Sequence, residues 1–489
     1  MLLDDIRAER LAKIEKLREK GMDPYPARTS RTHTGKDFLA AHAGFEASSE
    51  AIVLAGRIMS MREHGGSMFV DIFDGTTRVQ AYLKKDEMGE VYDDFVELVD
   101  VGDIIEASGV AFTTKRGMPS LLVSTWRMLA KALKPLPDEW YGIKDEDERF
   151  RKRYIDIVLS KDLAERFVRR STFWNTIRSF LLSRGFIEVE TPVFETTTGG
   201  AEARPFVTHH NALDMDVYLR ISAGELWQKK LMVAGIPKVF EIGRIFRNEG
   251  MSTEHLQDYT QLEFYEAFND YTQGMEMVKE MYREIAEKVY GTQQFTIRGF
   301  EIDLAKDWEI YDYCQIIKER FGVDPLETSV EAVSEVLSKE GISFEGGAMN
   351  VERGVDLLWK QIRKTLGGPG FLINVPVYME PLAKKSEKDS RVVERFQIIL
   401  GGSENGKGFS ELNDPVDQAE RFAHQQALRE SGDDEAQMTD DSFVEALEYG
   451  MPPTFGFGLS ERTFSFFEGV SVREAQLFPL LRPKNEELG

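Results

Sequence analysis

Residues 246–268 read FRNEGMSTEHLQDYTQLEFYEAF, two strand-forming runs joined by a polar loop. Counting by twos along the first run, VFEIGRIFRNE, puts Arg247 and Glu249 on one face and Phe246 and Asn248 on the other. The same count along the second run puts Tyr259, Gln261, Glu263 and Tyr265 together. If the two runs pair as an antiparallel hairpin, an arginine, two carboxylates and two phenols share one surface. An isolated hairpin with such a face could simply be solvated. The rest of the chain has to say why it is charged.

Two other stretches bear on the same chemistry. GGSENGKGFSELNDPVDQAERF (401–422) and PPTFGFGLSERTFSFF (452–467) bring a glycine-rich strand up to Ser-Glu-Arg at the start of an expected helix. Glycines let a flat ring approach the backbone, and Arg462 could cover that ring while its charge faces a phosphate. With Arg247, that makes two arginines on separate elements, as a triphosphate needs. There is no GxxxxGK[ST] and no GxGxxG, which leaves nucleotide binding on an antiparallel sheet. RSTFWNTIRSFLLSRGFIEVETPVF (170–194) reads as a helix stopped at Gly185, then a strand reaching Pro192.

Upstream, the texture differs. Residues 1–48 read as a helical extension, with Ile6, Leu11, Ile14 and Leu17 near one face, closing in DPYPAR. Residues 49–135 hold five short strand runs and one helical insert, the pattern of an OB-type barrel, with Asp74-Gly75 as a hairpin turn. In that hairpin Val70, Ile72, Val79, Ala81 and Leu83 share the inward parity, and Phe69, Arg78 and Gln80 the outward one. An outward face of aromatics with Arg and Gln suits stacking on unpaired bases, or packing under the N-terminal helix. A proline-bearing connector, 136–150, leads to a large α+β domain, 151–489, with a helical insertion at about 310–365. The acidic run SGDDEAQMTDDS reads as a solvated approach to a helix.

Composition sets the frame. The 489 residues allow two to four domains, and the apolar and charged fractions are those of a globular protein. The single cysteine, Cys314, forms no internal disulfide, and no Cys-x-x-Cys pair exists for zinc, which fits a reducing compartment. With no apolar run near ~18 residues and no signal-type N-terminus, the expectation is a cytoplasmic protein without a membrane segment. A formal charge of −23 argues against a general nucleic-acid binder, though not against a local contact surface.

Taken together, these blocks resemble the class II lysyl-tRNA synthetases of bacterial type over nearly the whole chain. The resemblance runs through KALKPLPD, RFRKRYIDI, GFIEVETP, GGAEARPFVTHHNALDMDVYLRI, VFEIGRIFRNEG, GFSELNDPVDQAERF and DDEAQMTDDSFVEALEYGMPPTFGFG. It implies an α+β class II antiparallel-sheet catalytic domain behind an N-terminal OB-fold barrel. It implies an ATP-dependent ligase that makes lysyl-adenylate from L-lysine and ATP and passes the lysyl group to the 3′ end of tRNA(Lys). By the family pattern Arg247 bridges the lysine carboxylate and the α-phosphate, so that Arg247 and Arg462 carry the catalysis. Glu249 holds the adenine amino group, His255 reaches the outer phosphates, and Tyr259 and Arg462 sandwich the adenine. Glu225, with the Gly200 backbone, takes the α-ammonium, although Ser222-Ala-Gly-Glu225 also fits a helix capping box. Glu263, Tyr265, Phe409 and Glu411 match the pocket for the side-chain ammonium, and Phe69, Arg78 and Gln80 the anticodon contacts. The resemblance also implies Mg²⁺ held through Glu404 and the position of Gln397, and a homodimer joined through 170–194.

The chain departs from that pattern in four places. Lys407 stands where relatives carry an asparagine that helps hold lysine, and a free cation there would oppose an ammonium at ~4 Å by about 1 to 4 kcal/mol. It could instead turn away, pair with Glu404 or meet phosphate. Gln397 replaces a metal-binding carboxylate, GFGLSER is one residue shorter than the usual last motif, and Met118 replaces a glutamate of the barrel. Two other readings compete: a synthetase of the aspartate/asparagine branch, which Glu263 and Glu411 oppose, and a ligase placing lysine on a protein, whose known forms lack the barrel.

Overall fold

The computed structural model describes residues 3–137, 142–201, 203–250, 252–344, 349–430 and 436–484. Part of the connector, part of the 310–365 segment and the first five residues of the acidic run therefore lie outside the described residues. The chain divides into two compact units, Met1–Lys161 and Asp162–Gly489.

The first unit holds a closed barrel of β1 (Ile52–His64), β2 (Ser67–Phe73), β3 (Arg78–Lys84), β4 (Ile104–Thr113) and β5 (Pro119–Ala130), in the order β1-β2-β3-β5-β4. Strict alternation along β2 and β3 buries Met68, Val70, Ile72, Val79, Ala81 and Leu83. The helical insert of the barrel, Glu90–Leu98, adds Tyr92, Phe95 and Leu98 to the same core. Leu17 of the N-terminal helix Leu3–Glu19 is buried there as well.

The second unit is built on an eight-stranded sheet. Its strands are β6 (Ile187–Glu188), β7 (Lys238–Phe246), β8 (Asp258–Ala267), β9 (Glu309–Asp312), β10 (Gly370–Ile373), β11 (Arg395–Leu400), β12 (Ser403–Ser410) and β13 (Thr454–Ser460). They lie in the order β9-β10-β11-β12-β13-β8-β7-β6, antiparallel throughout except for the outer pairs β9–β10 and β7–β6. One sheet face packs on Phe180 and Ile177 of the helix Lys161–Ser183 and on Val278, Met281 and Ile285 of Tyr271–Tyr290. Phe264, Phe396, Phe455 and Phe457 are the sheet's own contribution to that core. Phe264 and Phe396 alternate with Glu263 and Arg395, and Phe455 and Phe457 with Gly456 and Gly458, which leaves the other face for chemistry.

Three local expectations need correction. The strand after Gly185 is only two residues long, because it meets β7 for just two register pairs. Arg247 and Glu249 lie in the loop after β7 rather than in the strand, although Arg247 N still donates to Gln257 O at 2.7 Å. The segment from 310 begins with sheet edge: β9 precedes its helices. Among the described residues no helix is long and apolar enough to cross a membrane.

Candidate active site

The sheet register aligns residues in rows. One row runs Gln397, Lys407, Gly458, Glu263 across β11, β12, β13 and β8; the next runs Arg395, Phe409, Gly456, Tyr265. Both rows line one cavity of about 660 Å³. Gly456 and Gly458 form its floor. A Cβ on Gly456 would stand 2.0 Å from Glu411 Oε1 and 2.6 Å from the Tyr265 ring, so only glycine fits there.

Glu225, Lys229, Glu263 and Glu411 meet at one end of this cavity. Glu225 and Lys229 lie one turn apart on α1 (Glu225–Val233). Lys229 Nζ donates to Glu225 Oε1 at 2.6 Å and pairs with Glu411 Oε2 at 2.5 Å. Glu263 accepts from Ala223 N at 2.9 Å, Gln261 Nε2 at 2.8 Å and the Tyr265 hydroxyl at 3.1 Å. The three carboxyls are 6%, 3% and 1% exposed, with Lys229 as the cation contacting two of them. Burial, with Glu225 nearby, pushes Glu263 up to about 8. Burial raises Glu411 as well, against the pull of Lys229. No hydrogen bond reaches Glu411 Oε1. Such an end wants a cation, and the Phe409 and Tyr265 rings give it apolar walls.

The capping-box reading of Ser222-Ala-Gly-Glu225 is half right. Ser222 Oγ accepts from Glu225 N at 3.4 Å, but the Glu225 carboxylate turns to Lys229 instead of back to the helix start. Gly200, at φ +84°, comes so close that a Cβ would stand 2.7 Å from both Glu225 Cβ and Ser222 Oγ.

The other end of the cavity is cationic and aromatic. Arg247 Nε donates to Ile221 O at 3.2 Å, and its guanidinium lies 5.8 Å from the Tyr259 ring centre. Arg462 is set by its helix, Glu461–Phe467, whose start is fixed three ways. Ser460 Oγ accepts from Arg462 N at 3.3 Å, and buried Glu461 takes Thr260 N at 3.1 Å and Arg170 at 2.8 Å. Arg462 pairs with Glu254 and reaches Ser403 Oγ at 3.3 Å. His255 Nδ1 and Ser252 Oγ are hydrogen-bonded at 2.8 Å, and desolvation together with the Arg462 charge holds the imidazole below its usual range. Gly200, Glu225, Arg247, His255, Tyr259, Glu263, Tyr265, Gln397, Glu404, Phe409, Glu411 and Arg462 all line this cavity; Glu249 is not among its lining residues.

The substituted positions have their own partners. Lys407 pairs with Glu380 at 3.2 Å rather than with Glu404, and its ammonium lies 5.7 Å from the Phe409 ring. Arg395 bonds the other oxygen of Glu380 and also the Gln397 side-chain oxygen. Burial would raise Glu380, yet these two cations hold it below the ordinary carboxylate range. Glu404 accepts from Trp359 Nε1 at 2.8 Å and pairs with Arg363 at 3.1 Å. Glu404 is thus engaged by two donors and Gln397 by one, and the described residues hold no group of three His, Cys, Asp or Glu placed for a metal, so this set does not fit a divalent ion held by the protein alone.

In the barrel, Phe69 stacks on Tyr82 at 4.4 Å and 19°. Gln80 accepts from Ser120 Oγ at 3.0 Å, and Arg78 stands exposed opposite Phe73. The outward face thus offers one half-buried aromatic platform with polar groups beside it. The ring partner of Phe69 is a cross-strand tyrosine.

Sequence reasoning missed Lys229, Glu254, Glu380 and Arg395. Only Lys229 left a trace, four residues after Glu225; the others depend on contacts between distant segments.

Comparison with known proteins adds to this geometry. Residues 145–482 match the family described as tRNA synthetases class II (D, K and N), and residues 52–129 match the OB-fold nucleic acid binding domain. The chain is 43% identical to a lysine–tRNA ligase of Fervidobacterium nodosum over 99% of this chain and 96% of that protein. It is 42% identical to one of Thermotoga maritima, over 99% and 98% of the two chains. It is 40% identical to one of Carboxydothermus hydrogenoformans, over 99% of each.

Proposed function

Since the chain belongs to the class II tRNA synthetases, among their lysine–tRNA ligases, we propose that the cavity binds L-lysine at its acidic end and ATP at its arginine-rich end. The chain is an ATP-dependent ligase that joins lysine to tRNA. The observation that carries the site assignment is the cluster of three buried carboxyls with one internal ammonium: such an end is completed by a ligand that brings positive charge.

In this reading the lysine side chain runs between Phe409 and Tyr265 to Glu263 and Glu411, and its α-ammonium meets Glu225 and the Gly200 backbone. Arg247 then lies where the lysine carboxylate meets the α-phosphate. As a carboxylate oxygen attacks that phosphorus, the charge on the phosphoryl oxygens grows and pyrophosphate leaves, and a fixed guanidinium stabilises this without reorganising. Tyr259 and Arg462 enclose the adenine, Glu249 takes its amino group, and His255 faces the outer phosphates. Magnesium accompanies ATP as its counter-ion, and no step above is routed through it. In the second step the 3′-hydroxyl of tRNA(Lys) takes the lysyl group and AMP leaves.

We assign residues 49–135 to anticodon binding, with Phe69 stacking and Arg78 and Gln80 reading base edges, and 151–489 to catalysis. A homodimer through the 170–194 segment is supported by exposed Ile187, Val193 and Phe194. A cytoplasmic location fits the single cysteine.

Glu263 provides the test of the lysine site. Burial pushes its carboxyl up to about 8, which favours the protonated form in the empty pocket at neutral pH. The ionised form is the one that pairs with an ammonium, so lysine binding expels a proton. Affinity rises with pH by up to about tenfold per unit and levels off above the empty-pocket value. Calorimetry in buffers of different ionisation enthalpy, at pH 6 to 8.5, reads both effects. A Kd independent of pH and buffer contradicts the assignment.

Lys407 gives a second, smaller expectation. Because Glu380 already balances its charge, Lys407→Asn changes the Kd for lysine by no more than about threefold, the scale of a half-exposed ion pair. A tenfold gain in lysine affinity on that substitution would mean the cation does oppose the substrate.

A further inference from the structure

Lys229 carries a buried charge that the reaction above does not use. It is 1% exposed, on the inner side of α1, with the Phe409 ring at 5.4 Å and the Tyr265 and Phe443 rings at 5.9 Å. Its ammonium holds Glu225 Oε1 at 2.6 Å and Glu411 Oε2 at 2.5 Å. These carboxyls come from different parts of the fold, one from the first turn of α1 and one from just beyond β12. The two contacts laid end to end are the greatest separation their facing oxygens can have. Glu411 Oε1, on the far side, is buried and takes no hydrogen bond.

We propose that Lys229 is a positioning residue that sets the side-chain length the enzyme accepts, by bracing the carboxylate for the α-ammonium against the carboxylate for the side-chain ammonium. This rests on the lysine site proposed above. Lysine and ornithine carry the same charges and differ by one methylene. An apolar pocket alone separates such a pair by only about 10- to 200-fold. A fixed spacing between two charge sites adds to this, because the shorter ligand can satisfy one carboxylate but not both. A rigid internal ammonium, walled by three rings, keeps that spacing from adapting.

The experiment is lysine- and ornithine-dependent ATP–pyrophosphate exchange on the wild type, Lys229→Arg and Lys229→Gln, with thermal unfolding of each. Arginine keeps the cation but lengthens the brace; glutamine keeps a donor but removes the charge. The ratio of kcat/KM for lysine to that for ornithine is expected to fall at least tenfold in both. Being a ratio, it is unaffected by the fraction of each variant that folds. A ratio within twofold of wild type, with both rates falling together, would reduce Lys229 to a structural ion pair and overturn the proposal. A wild type that exchanges with ornithine as well as with lysine also overturns it. Exchange with neither overturns the lysine site itself, and the brace with it.

Discussion

Replacing Arg247 by alanine is expected to lower kcat/KM for lysine-dependent ATP–pyrophosphate exchange by about 10³-fold, roughly 4 kcal/mol of transition-state stabilisation. The size follows from position. Arg247 lies in the same cavity as both the acidic end and the Arg462 end, and a single main-chain bond from its Nε to Ile221 O at 3.2 Å orients it. That leaves most of its fork open for a ligand. Lysine at this position restores the charge but not the planar, two-pronged donor, so Arg247→Lys should recover little. Because the side chain is half-buried and makes no ion pair among the described contacts, the thermal midpoint should hardly move. A loss of stability in step with activity would place Arg247 in the scaffold instead.

The second large effect is expected at Glu411. Glu411→Gln is close in shape but removes a buried charge that contacts Lys229, leaving that ammonium with Glu225 alone. Breaking one side of a buried charge cluster costs about 3 to 5 kcal/mol, and a loss of that size in binding corresponds to a rise of roughly 10² to 10⁴ in the Kd for lysine. The acyl-phosphate chemistry lies at the other end of the cavity, so saturating lysine should restore much of kcat. Steady-state KM and kcat, with calorimetric Kd, separate the two. An unchanged KM would mean that the side-chain ammonium lies elsewhere.

How far the sequence reached can be judged from particular residues. The odd parity of Tyr259, Gln261, Glu263 and Tyr265 needed only the period of a strand, and the four do line one cavity. The inward parity of Val70, Ile72, Val79, Ala81 and Leu83 was legible for the same reason. Alternation carries the strand on to Arg247, one residue past its end, since it cannot tell where pairing stops. Glu225 looked like a helix cap, and only the helix geometry reveals that its carboxylate is taken by Lys229, one turn on. Lys407 raised a question of charge that its own neighbours could not answer. Its partner, Glu380, lies beyond the sheet edge of local sequence and is shared with Arg395, a contact that exists only once β11 and β12 pair. Gln397 likewise has its oxygen engaged by Arg395. Periodicity therefore reads faces well, and it does not read the pairing of charges between segments far apart in the chain.

The most direct measurement is amino-acid-dependent ATP–pyrophosphate exchange on the full chain, scanning lysine, asparagine, aspartate, arginine and ornithine. The acidic, aromatic-walled end of the cavity predicts strong exchange with lysine and little with the others. Exchange driven by aspartate or asparagine, or by no amino acid at all, would contradict it.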